Sequence, residues 1–122
     1  MERPSSSWAE EICSLPVAFR SGNTSIRQLF EPARAHLAER DSFLAAVAKR
    51  LRERPDLIDA WQGYSEDKRT TGPVLRLSTM EVAVYETHAG LHDIGHFTSR
   101  VDACAEFIYR GACSVLRREA AT

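Results

Sequence analysis

His88, His92 and His96 recur every four residues, with Asp93 among them. On a continuous α-helix that spacing stacks three imidazoles along one face, where ring nitrogens and a carboxylate could hold a first-row metal ion. Gly90 and Gly95 interrupt the segment, however, and Met80 to Thr87 before it alternates as a strand. The histidines are therefore placed on and around a hairpin turn, where they need not converge. Exposed loop histidines are the simpler reading, and no metal or other cofactor is expected. A small histidine-dependent metal-binding protein or enzyme using 88–96 is the alternative function.

The three cysteines offer less. Cys104 and Cys113 lie nine residues apart on one expected helix, which puts them on opposite faces and prevents them from pairing or sharing a metal. Cys104 falls on an apolar stripe, where burial keeps a thiol protonated and inert. Cys113 faces outward with Arg110 and Arg117 as helical neighbours and no His nearby in sequence, and Cys13 reads as structural. A nucleophile would also need a base and an orienting carboxylate, whose convergence one sequence does not disclose. The glycines are isolated, with no phosphate-cradling G-x-x-x-x-G-K pattern. No motif names a reaction, so a noncatalytic role is expected.

The elements that must position these residues follow from periodicity. At 122 residues, 43% hydrophobic and 27% charged, the chain has the size and composition of a single domain, 1–122, with 1–23 as a less regular N-terminal segment. In that segment Trp8, Ile12, Leu15, Val17 and Phe19 suggest one short helix, broken by Pro16 and followed by a loop at Ser21-Gly22-Asn23. Pro32 suits a first helical turn, and Ala33 to Arg54 is dense in helix formers, with Leu37, Phe43, Leu44, Val47 and Leu51 as its apolar side and Arg50 among the charges opposite. Pro55 ends that helix and opens the next, in which Leu57, Ile58 and Trp61 recur before Gly63.

From Pro73 the period shortens: Val74, Leu75 and Leu77, then Val82, Val84 and Tyr85, then Ile94 and Phe97 make three short antiparallel strands. Turns are expected near Ser78-Thr79 and Ala89-Gly90-Leu91. Ser99 and Asp102 have the spacing of a capping box, behind which Val101, Cys104, Ala105, Ile108, Ala112, Val115 and Leu116 keep a helical repeat. The expected fold is α+β: N-terminal helices, a three-stranded antiparallel sheet, and a C-terminal helix packed on the sheet.

Sixteen basic against seventeen acidic side chains provide no basic field for direct nucleic-acid binding. Acidic residues stand where a signal peptide would need an apolar core, and no segment is long and apolar enough for a membrane. A cytoplasmic location and no membrane partner are expected. Between the helical and strand halves runs Tyr64-Ser-Glu-Asp-Lys-Arg-Thr-Thr-Gly72, a polar junction of the kind that can carry recognition. Lys68 and Arg69 near a helix C-terminus would interact well with its dipole; exposed beside Tyr64, they could also engage an acidic ligand or a protein surface.

Through Tyr64-Ser-Glu-Asp-Lys-Arg-Thr and Ala103-Cys-Ala-Glu-Phe-Ile108 the chain resembles a group of small bacterial proteins that includes immunity proteins of toxin systems. The resemblance spans about Phe43 to Leu116 and departs at Pro73-Val74-Leu75, where the pattern has an aromatic pair. It implies a noncatalytic protein that binds a cognate toxin domain. The expected contact residues are Tyr64, Glu66, Asp67, Lys68, Arg69, Thr70 and His92.

Overall fold

The computed structural model describes residues 7–21, 25–67, 72–76, 80–86 and 90–121. The fold is α+β, with helices α1 (Ser7–Cys13), α2 (Leu15–Ser21) and α3 (Ile26–Phe30), a 3-10 segment Glu31–His36, and helices α4 (Arg40–Glu53) and α5 (Asp56–Asp67). Strands β1 (Gly72–Arg76), β2 (Glu81–Glu86) and β3 (Gly90–His96) follow, and α6 (Arg100–Ala121) completes the chain. The sheet is an antiparallel meander in the order β1-β2-β3, and α6 packs against β1 and β2.

The N-terminal segment holds two short helices where one was expected. Pro16 is the second residue of α2, a first-turn position at which its missing N–H costs no helical bond, so it starts a helix instead of ending one. The entry to α3 is fixed by a complete capping box: Ser25 Oγ accepts from the Gln28 backbone at 3.2 Å, and the Gln28 side chain accepts from the Ser25 backbone at 3.3 Å.

The expected continuous helix over 33–54 is also divided. Pro32 opens the 3-10 segment, residues 37–39 turn, and α4 starts only at Arg40. The Leu37 carbonyl, which an unbroken helix would pair with the backbone four residues on, accepts instead from the Tyr109 hydroxyl at 2.8 Å. A side chain 72 residues away thus satisfies the break. On α5 the helix runs past Gly63 to Asp67.

α6 lies between two layers, the sheet with α5 on one side and α3, α4 and the 3-10 segment on the other. Consequently 103–108 are buried in unbroken succession, more than a full helical turn. Trp61, Phe30, Phe43 and Phe107 are the bulk of the core around it, and the buried Trp61 Nε1–H donates to the Cys13 carbonyl at 2.9 Å. α3 passes Gly111 with room for a side-chain carbon: a Cβ there would sit 3.5 Å from the Phe30 ring, ordinary contact distance.

In the sheet, Val82 faces Gly95 and Ala83 faces Asp93, so Ile94 is an extra residue in a β-bulge. Gly90 and Leu91 belong to β3, not to the turn expected there, and Phe97 lies just beyond the strand, its N–H donating to the Met80 carbonyl at 2.9 Å. The turn expected at Ser78-Thr79 lies outside the described residues.

Candidate functional site

The C-terminal end of α5 is tied to the sheet by a contact that hydrophobic patterning does not reveal. Ser65 is buried, and its Oγ accepts from the Leu75 N–H of β1 at 2.9 Å. That bond satisfies a strand donor on the edge of β1 away from β2, so the polar junction starts from a fixed point. Beside it Tyr64 is half-buried, edge-on to Trp61 at 5.4 Å and to Phe107 at 6.4 Å between ring centroids. Burial raises its phenol above the ordinary tyrosine value.

Tyr64 is therefore more a plank of the core than a free contact residue, and what it presents outward is a neighbour. Phe19 of α2 stands edge-on to it, centroids 6.4 Å apart, and remains 43% exposed; Val17 on the same short helix is 52% exposed. These are the exposed large hydrophobics among the described residues. Glu66 is exposed and accepts from Gln62 Nε2 at 2.8 Å; both stand two residues from Tyr64, about 200° round α5, and so on a different face from the one that meets Phe19. Asp67 closes α5, and Lys68, Arg69 and Thr70 lie outside the described residues.

His92 is not drawn to this place by the fold. It lies on β3 opposite Val84, two strand spacings, about 10 Å, from β1 to which α5 is fastened. His92 and His96 are on one strand, where four residues span roughly 13 Å instead of the roughly 6 Å of a helix. His96 pairs through Nε2 with Glu81, which also takes Arg76 Nη1 at 3.3 Å. His88 lies outside the described residues. Among the described residues no three His, Cys, Asp or Glu side chains assemble as a metal-ligand set.

The thiols are placed as the helical spacing predicts: Cys104 is buried and Cys113 half-exposed. Burial pushes the Cys13 thiol up to about 12, the Arg50 charge opposing weakly, and pushes Cys104 up as well. Neither is a nucleophile at neutral pH.

A second cluster was legible only in part. Glu106, fourth in the run of six buried residues 103–108 on α6, has a side chain 3% exposed. Arg40 grips it as a fork, Nη2 on Oε1 and Nη1 on Oε2 at 2.9 Å, and Arg110 Nε donates to the same Oε2 at 2.6 Å. Burial pushes this carboxyl up, but the hydrogen bonds and charges of Arg40 and Arg110 together outweigh it and hold it below the usual range. The Glu106–Arg110 spacing of four is visible in the sequence; Arg40, 66 residues from Glu106, is not.

Comparison with known proteins returns no significant match. No protein family, no characterised protein and no solved structure is similar enough to indicate a relationship. Among the described residues no helix is long and apolar enough to cross a membrane.

Proposed function

We propose that the protein is a noncatalytic binding protein of immunity type, which neutralises a cognate bacterial toxin domain by covering part of its surface. The observation that carries this reading is Phe19, an exposed aromatic ring set on Tyr64 and through it on Trp61 and Phe107. An aromatic group backed by rigid core is the kind of anchor around which protein interfaces concentrate their binding energy. Val17 on the same short helix is exposed as well, and the polar junction that follows Tyr64 runs through Glu66 into Lys68, Arg69 and Thr70. An apolar centre with a polar rim is the usual layout of a protein interface.

The two stretches behind the resemblance contribute differently. Residues 103–108 are core, so that likeness bears on fold rather than on partner choice. The junction is the stretch that can meet a partner, and His92 on β3 is the outlying member of the contact set.

The test is co-expression with the product of the neighbouring gene, where this reading calls for a toxin domain. A soluble complex and loss of toxin activity are expected, and Lys68→Glu with Arg69→Glu should weaken the complex while leaving the circular dichroism spectrum unchanged. An active toxin in the presence of folded protein would overturn the reading, and unchanged affinity in the double variant would remove the junction from the interface.

A further inference from the structure

Among the described residues Arg110 pairs with one carboxylate, that of Glu106. Glu106 supplies one negative charge, and both its oxygens are already taken by the Arg40 fork before Arg110 shares Oε2. Glu39 and Asp41 flank Arg40 in sequence, and the Asp41 charge acts on Arg40 together with that of Glu106. For Arg110 the one ion pair among the described residues is with Glu106, and from Phe107 to Ser114 no acidic residue occurs. Two guanidiniums held against one oxygen repel each other, and a further anion on the open side relieves that repulsion.

The pair is also held in place. The Tyr109 ring lies 5.2 Å from Arg40 Cζ, while its hydroxyl holds the Leu37 carbonyl just before α4. Arg110 is engaged through Nε alone, its side chain is 37% exposed, and its Nη1 and Nη2 groups have no partner among the described residues. That free edge is the geometry a carboxylate or phosphate accepts as two parallel hydrogen bonds. Because the buried carboxylate fixes the guanidinium beforehand, little side-chain freedom remains to be lost on binding.

We propose that Arg110, braced by buried Glu106 beside Arg40, is a binding site for a small oxyanion, a phosphate or a carboxylate, held through the Nη1/Nη2 edge. The site is on the α4–α6 side and is independent of what the Phe19 surface binds.

The experiment follows the arginine Nε–H resonances of 15N-labelled protein as inorganic phosphate, and separately acetate, is added at constant ionic strength. The Arg110 resonance, identified by its loss in Arg110→Lys, should shift saturably. Read in both proteins from the neighbouring Arg40 resonance, Arg110→Lys keeps the charge and leaves the Arg40–Glu106 fork to hold the fold, yet should bind about tenfold more weakly because the two-point contact is gone. Lys49→Ala, on an exposed part of α4, should change nothing. Saturable binding of phosphate alone, or of acetate alone, identifies which oxyanion the site takes. Non-saturating shifts, equal shifts at exposed Arg52, or unchanged affinity in Arg110→Lys would show only an ion atmosphere and overturn the site.

Discussion

On the α2–α5 side an aromatic ring, Tyr64, is drawn inward and leaves Phe19 and Val17 at the surface. On the α4–α6 side a carboxylate, Glu106, is drawn inward and leaves the guanidiniums of Arg40 and Arg110 partly exposed. Both surfaces rest on the same core, the first through Phe107 and Trp61, the second through Tyr109 and Phe43. What a surface offers is thus set by what the core beneath it has absorbed. Absorbing most of an aromatic leaves an apolar anchor, and absorbing an anion leaves oriented cations.

The change that should damage both sides at once is Trp61→Ala. It removes the largest fully buried side chain and its bond to the Cys13 carbonyl, and should cost about 3–5 kcal/mol, read as a shift in the denaturation midpoint with little change in slope. A loss under roughly 1 kcal/mol would mean that the two faces do not share a core.

Glu106→Ala separates the sides. It frees two cations, but both are partly exposed and can turn to water, so the loss should be about 1–3 kcal/mol, below that of a fully enclosed pair. The Phe19–Tyr64 surface should be unaffected.

The buried carboxylate and the buried thiols and phenol should act at opposite ends of the pH scale. Glu106 has a folded-state value below that of the unfolded chain. Its contribution is present above about pH 4.3, the ordinary Glu value, and is lost as pH falls through the depressed folded value. Tyr64, Cys13 and Cys104 have folded-state values raised by burial, so the unfolded chain ionises first and stability falls as pH rises beyond about 8.5, first from the thiols and then from the phenol. Glu106→Gln should flatten the acid limb and leave the alkaline limb unchanged; denaturant melts across pH measure both.

The smallest effect should come from Gly111→Ala. The added methyl meets the Phe30 ring at contact distance, and replacing a mid-helix glycine should stabilise by about 0.5–1 kcal/mol.

Local pattern carried much of this architecture. The change of period after Pro73 marks the three strands, and the helical repeat behind Ser99 marks α6, whose first turn is capped by Ser99 Oγ accepting from the Asp102 N–H at 3.1 Å. The S-x-x-Q spacing at Ser25 was equally open to reading, and it starts a helix. What local pattern cannot carry is a side chain arriving from far along the chain: Tyr109 at the Leu37 carbonyl divides a run of helix formers, and Ser65 ties α5 to β1. The burial of Glu106 is hidden for the same reason. An amphipathic repeat describes a helix with one covered side, whereas α6 is covered all round from 103 to 108. The polar junction that includes Tyr64 and Glu66 stands out by composition; the exposure of Phe19 depends on how α2 meets α5.

The most direct measurement is the affinity of the protein for the product of the neighbouring gene, where the proposed function calls for a toxin domain, taken by titration calorimetry for the parent and for Phe19→Asp. The account predicts a one-to-one complex that Phe19→Asp weakens about tenfold or more, with the fold kept because Phe19 is exposed and lies outside the buried core. Equal affinity in a folded Phe19→Asp variant, or no complex at all with the folded parent, would contradict it.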